Sequence, residues 1–369
     1  MKVAILTLHR VFNYGSVLQA YATQKIFEDL GFDVEIVDYI TEQRRNKRLF
    51  FKVPDSINGS IIYKFIYMIL RMFSVLIKKY TFGGFIKRYI NLSNKKYITY
   101  QDLLAYPPQA DVYVTGSDQV WNSKYNEGVD KGFFLEFAPP ERIKISFAAS
   151  FGKTQLDQNE KNIVKKYLKK YKAISVREDS ALEILNELGY FNAICLIDPT
   201  LQIRKENWEK LASKRIINDR YLVLMLLYNE DDGATLYARK IADIKGLKLV
   251  KISWELIKPE FVDILMTHRT PEDFLSLIKY SDFVVTNSFH GLAFSIIFNR
   301  QFIVIPRKEF NNRIESLLRL IKLEDRMITS SEEFDVINSV IDYTEVNKIL
   351  EIEREKALNF IIKSTKGDN

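Results

Sequence analysis

Three histidines occur in 369 residues, and one of them, His290, stands in TNSFHGLAFSIIF (286–298), directly after the apolar run DFVVT. An imidazole exchanges its proton near neutral pH, so a histidine where a strand hands over to a helix is placed to move one. Asn287 or Ser288 can cap that helix, and Gly291 gives room in its first turn. A helix N-terminus favours anions and opposes an imidazolium, so a proton held on His290 calls for an anion close by. The competing account is a packed histidine with no chemistry. Its position, where open α/β domains place their ligands, favours a working role.

Four other clusters follow apolar, β-rich runs. Asn13, Tyr14, Gly15 and Ser16 follow the run VAILTL by a few residues and open a helix; their free N–H groups suit an anion or a sugar hydroxyl, or simply form a cap. In GSDQVWN, Gly-Ser-Asp is turn chemistry. Ser117, Asp118, Gln119, Trp121 and Asn122 together surround one aromatic ring with hydrogen-bonding groups, which suits a sugar. In SVRED, Arg177 offers a guanidinium fork to phosphate or carboxylate, while Glu178 or Asp179 can cap the next helix. Asp198 in IDPTL ends a further run, and a proline-turn cap is the alternative there.

The elements needed to position these groups are legible as two series. VAILTL (3–8), a helical stretch (15–31) and VEIVDY (34–39) predict a strand-helix-strand crossover, with Gly31 as the stop. Strands are expected at 111–116, 143–150, 173–178 and 193–198, and a second series at 221–228, 247–253, 282–287 and 301–306. The pattern predicts an α/β fold of two doubly wound, Rossmann-like domains facing a cleft. The expected boundaries are 1–205, 206–345, and a C-terminal helix and tail over 346–369 that can pack on either domain.

Residues 41–100 interrupt the first series as a helical, basic and apolar insertion. TEQRRNKR is a charged run, and residues 57–90 are apolar with regularly spaced basic residues, including Lys64 and Arg71, so a spanning helix is not expected. Two readings stand: a helical insertion packed on the N-terminal domain, or an amphipathic patch in peripheral contact with a membrane.

The formal charge of +7 suits anionic partners. No zinc finger, RNP-like motif or basic tail accompanies it, so nucleic acid is not an expected partner. One cysteine, Cys195, excludes an internal disulfide and is read as a buried, reduced thiol. With three scattered histidines it also argues against a zinc site, and no metal is expected. MKVAILTLHR is too short in its apolar run for a leader, so a cytoplasmic location is expected, peripheral at the inner face of the cytoplasmic membrane on the second reading of 57–90.

In order along the chain, NYGSVLQAYA, GSDQVWN, SFAASFG, SVRED, IDPTL and SFHG resemble the polysaccharide pyruvyl transferase family, with NRIESLLRLI (312–321) similar to its later arm. The resemblance implies a fold like that of the GT-B glycosyltransferases and no cofactor. It implies transfer of the enolpyruvyl carbon of phosphoenolpyruvate onto two hydroxyls of one sugar, giving a cyclic ketal and phosphate. It further implies that His290 is the general acid/base, that Arg177 holds the donor, and that Asp198 is an acid near the active site. Ser288, Gly291 and Arg313 are expected on the donor side, and the NYGS and GSDQVWN turns on the acceptor side. Some members carry Arg where this chain has Ser288, so a second cation is needed, with Arg313 or Arg307 as substitutes. The acceptor is expected to be a galactose-type sugar on a polyprenyl diphosphate carrier. Two rivals share the fold. A nucleotide-sugar glycosyltransferase is expected to show paired glutamates eight residues apart, whereas Glu309 and Glu315 lie six apart. The other is a non-catalytic sugar-binding or scaffold protein.

Overall fold

A computed structural model describes residues 1–40, 61–227, 232–254, 258–307, 311–328 and 335–366. TEQRRNKR and Glu309 lie outside these residues.

Seven parallel strands form the first sheet: β1 (Lys2–Leu6), β2 (Asp33–Tyr39), β3 (Leu92–Tyr97), β4 (Val112–Thr115), β5 (Ile143–Ala149), β6 (Ala173–Val176) and β7 (Ile194–Cys195). Their order is β3-β2-β1-β4-β5-β6-β7. Five more, β8 (Tyr221–Met225), β9 (Lys248–Ser253), β10 (Ile264–Thr267), β11 (Phe283–Thr286) and β12 (Gln301–Val304), form a second parallel sheet in the order β10-β9-β8-β11-β12. In both sheets the order reverses beside the first strand, which opens a crevice at the carboxyl ends of β1 and β4 and of β8 and β11. The two Rossmann-like sheets make the fold GT-B-like.

Two strands were not expected, β3 and β10, and both are edges. LSNKKY has apolar residues only at its ends and exposes Lys95 and Lys96, which suits an edge that must not recruit another strand. The insertion therefore returns a strand to the sheet as well as supplying the helix Ile61–Tyr89, with β3 beside β2.

The helix Tyr14–Asp29 begins with the Asn13 side chain accepting from the Gly15 N–H. It ends at Gly31, whose φ of +85° allows Gly31 N–H and Phe32 N–H to close the last turn on Glu28 and Phe27. This helix is buried on nearly every side, polar Gln19, Thr23 and Gln24 included, because it lies between the two domains. One apolar core runs continuously from its Val17 and Leu18 to Phe274, Leu292 and Phe294 of the second domain. The Tyr14 ring stacks on Phe274 at 4.8 Å, and its hydroxyl donates to the Arg269 carbonyl at 3.0 Å.

The helix Tyr343–Thr365 touches both domains. Tyr343 donates to the Arg300 carbonyl in the second, and Arg354 donates to the Leu201 carbonyl at 2.9 Å. Lys172 in the first domain donates to Lys366, one residue past its end. Among the described residues, no helix is long and apolar enough to cross a membrane.

Candidate active site

The carboxyl ends of β1, β4, β6 and β7 deliver one buried ion network. Asp198 caps the short helix Pro199–Gln202: its Oδ1 accepts from the Thr200 N–H at 2.9 Å and from the Thr200 hydroxyl at 2.7 Å. Its Oδ2 accepts from Arg177 Nη1 at 2.6 Å and from the Ser117 hydroxyl at 3.5 Å. Arg177 Nη2 reaches Asp118 Oδ1 at 3.4 Å, and the Ser16 hydroxyl donates to Asp118 Oδ2 at 2.7 Å. Asp118 adopts a left-handed backbone with φ of +72°, a conformation that Asp tolerates better than most residues and that marks functional turns.

From the other domain, the helix Phe289–Ile297 brings His290 up to this network. The imidazole Nε2 lies 3.8 Å from Asp198 Oδ2, beyond a hydrogen bond, and although buried it has no hydrogen-bond partner among the described residues. Gly15 backs the same ring. A Cβ there would fall 1.9 Å from His290 Nδ1, so any side chain larger than hydrogen would displace the imidazole. The sequence offered Gly15 as part of a cap; its role is close approach across the domain boundary.

Arg313 stands half-buried nearby and makes no hydrogen bond or ion pair among the described residues. Its guanidinium lies 5.8 Å from the centroid of the Phe289 ring, while that of Arg177 lies 4.9 Å from it. Phe289 was not singled out from the sequence, although it directly precedes His290; its ring is approached by both guanidiniums.

Charge and burial set the protonation states. Burial drives the His290 imidazole below its ordinary value; Asp198 and Asp118 oppose this, while Arg177 and Arg313 add to it. Burial works against ionising Asp198, yet Arg177, His290 and the Thr200 N–H together hold it below the usual carboxylate range. Asp118 behaves alike, with Arg177, His290 and Arg313 prevailing over burial. Burial, then Arg177, disfavours the charged form of Arg313, opposed by Asp118 and Glu178. The site thus holds a neutral imidazole, two carboxylates and two guanidiniums.

Other expected residues have different surroundings. Trp121 is no platform for a sugar: it is buried, stacks on Phe134 at 5.1 Å, and its indole N–H donates to the Phe133 carbonyl at 3.1 Å. Asn122 caps the turn at Ser123–Asn126 and donates to Gln119 Oε1 at 2.6 Å, so both its polar ends are used. Gln119 remains half-buried. Tyr14 packs between the domains and does not line an acceptor pocket. Ser288 caps the helix of His290 by accepting from the Gly291 N–H at 3.3 Å. Arg307 is half-buried, and its backbone N–H donates to Asn311. Glu178 caps nothing; its Oε1 accepts from Ser150 and from the Gly152 N–H, and its buried Oε2 has no partner among the described residues. Asp179 crosses to the second domain and accepts from Ser316 at 2.8 Å and Arg319 at 3.1 Å. Cys195 is half-buried, not fully buried, on edge strand β7, and burial is the main cause of its thiol being pushed up to about 12. Among the described residues no group of three or more His, Cys, Asp or Glu is arranged to hold a metal ion.

Comparison with known proteins agrees with this architecture. The chain is similar to a UDP-GlcNAc 2-epimerase from Neisseria meningitidis solved with bound UDP-GlcNAc: TM-score 0.50, 10% identity, 99% of each chain covered. It is similar to a UDP-N-acetylglucosamine 2-epimerase from Rickettsia bellii: TM-score 0.50, 11% identity, 99% of this chain and 97% of that one covered. A candidate UDP-N-acetylglucosamine 2-epimerase from Listeria monocytogenes gives TM-score 0.51, 12% identity, and 98% and 94% coverage. At such identities the likeness is one of fold. No curated protein matches by sequence. The model of the family described as polysaccharide pyruvyl transferase matches residues 13–309, which takes in the NYGS turn, the Asp118–Arg177–Asp198 network and His290. The chain therefore belongs to the polysaccharide pyruvyl transferase family.

Proposed function

We propose that this protein transfers the enolpyruvyl carbon of phosphoenolpyruvate onto two hydroxyls of one sugar unit of a cell-surface polysaccharide, forming a cyclic pyruvate ketal. The observation that carries the reading is the buried His290 Nε2, without a hydrogen-bond partner among the described residues and facing the Arg177–Asp198 pair, with the unpaired Arg313 beside it.

The reaction needs one proton on the methylene carbon C3, two sugar oxygens bonded to C2, and a broken C2–O bond to phosphate. One hydroxyl proton ends on C3 and the other on the departing phosphate, so the balance closes without a cofactor. A neutral imidazole suits this sequence because it can first take a hydroxyl proton and then return it. Arg313 is the cation free to meet a donor carrying phosphate and carboxylate, and Arg177 adds positive potential. Asp198, fully engaged, orients Arg177 and stabilises the imidazolium that forms. Ser16, Ser117 and Gln119 border the acceptor side. The acceptor is a galactose-type or related sugar on a polyprenyl diphosphate carrier.

The test is phosphate release from phosphoenolpyruvate with a panel of galactosides and lipid-linked analogues, with the product weighed by mass spectrometry. Acceptor-dependent release and a product heavier by one pyruvyl group, lost by about a hundredfold or more in His290→Ala, is the expected result. Equal release by both proteins overturns the role of His290. A product heavier by a hexose, formed from a nucleotide sugar, overturns the reaction.

A further inference from the structure

The helix Ile61–Tyr89 carries six basic residues and no acidic one. Its last part is seated on the protein: Phe82 is buried, with its ring 5.4 Å from Tyr14 and 5.6 Å from Trp254, and Phe85 and Ile86 are buried beside it. Further toward its start the opposite side is bare. Phe65 is 58% exposed, Phe73 57% and Tyr80 86%, and Ile69, Leu76 and Ile77 are exposed with them. At about 100° per residue these six fall within an arc of about 120°, the width of an apolar face that ought to be covered. Lys79 and Lys87 are exposed with it, while Arg88 pairs with Glu272 at 2.7 Å.

We propose that this face is a docking surface for an anionic lipid bilayer, into which Phe65, Phe73, Leu76 and Tyr80 insert while Lys79 and Lys87 meet the headgroups. Charge decides the occupant. A second copy would bring two acid-free, cationic helices together, whereas anionic headgroups complement Lys79 and Lys87, which are exposed on the side of the apolar arc. The geometry also serves catalysis. Phe82 packs on Tyr14, the neighbour of the Gly15 that backs His290, and about 14 Å of helix separates Phe73 from Phe82. A chain docked through this face carries its cleft at the lipid surface, where a lipid-linked sugar would be met.

The surface is tested without turnover, so its outcome is independent of the reaction proposed above. The full-length protein is sedimented with phosphatidylcholine vesicles, with and without about one third phosphatidylglycerol. Binding to the anionic vesicles alone is expected, weakened tenfold or more when salt rises from about 0.1 M to about 0.5 M. Phe73→Glu/Tyr80→Glu and, separately, Lys79→Glu alter solvent-facing side chains, so circular dichroism should be unchanged while vesicle affinity drops, by roughly tenfold or more for the double variant. Equal sedimentation of wild type and the double variant overturns the proposal. So does an absence of vesicle binding together with a dimer in solution that the same substitutions dissociate, which would assign the face to a second copy.

Discussion

The two walls of the cleft are built on opposite plans. On the first domain the two carboxylates of the network are answered: Asp198 and Asp118 share Arg177, and Ser16, Ser117 and Thr200 take up their remaining oxygens. On the second domain neither His290 Nε2 nor Arg313 has a hydrogen-bond partner among the described residues. A paired carboxylate holds position at little cost because its burial is compensated; an unanswered group is costly to bury and is available to a ligand. The difference separates residues that maintain the site from those that act in it.

Substitutions can break that distinction. The largest effect is expected for His290→Asn, a loss of turnover of about 10²–10⁴-fold. Thermal unfolding should barely move, since the imidazole gives up no hydrogen bond at Nε2. Next, Arg177→Met strands two buried carboxylates and should cost about 3–5 kcal/mol of stability, read by denaturant titration. Arg313→Met should leave stability within about 0.5 kcal/mol and raise the KM for phosphoenolpyruvate. If Arg313→Met unfolds the protein as Arg177→Met does, the two walls are not different in kind. Gly15→Ala pushes a methyl into the imidazole and should cost about 1–3 kcal/mol, divided between stability and turnover.

The smallest effect sharpens the comparison through pH. His290 is held below its ordinary value, so below about pH 6.5 the unfolded chain binds a proton that the folded chain refuses. Its contribution to stability is therefore present above that pH and lost as pH falls, with a slope of at most about 1.4 kcal/mol per pH unit. Unfolding free energies between pH 7 and 5 should show a shallower slope for His290→Asn than for wild type. An identical slope would mean that the imidazole titrates normally in the fold.

The central strands were legible because burial on both faces demands continuous apolar runs, as in VAILTL and DFVVTN. The edges β3 and β10 were not, since an edge needs little apolar residue and gains from lysine. Within the site, His290, Arg177, Asp198 and Asp118 were readable from their places at strand ends. Trp121 misled because a strand end also supports the core beneath it, and no local pattern tells the two sides of a turn apart. Gly15 against His290 was out of reach for a different reason: the contact joins residues 275 positions apart in different domains.

The helix Tyr343–Thr365, anchored at its start on the second domain and at its end on the first, acts mechanically as a strut of fixed length, 23 residues or about 35 Å. A strut of that kind permits the two halves to swivel about its line but resists their being drawn apart. A truncation before Tyr343 would remove that tie between the two domains.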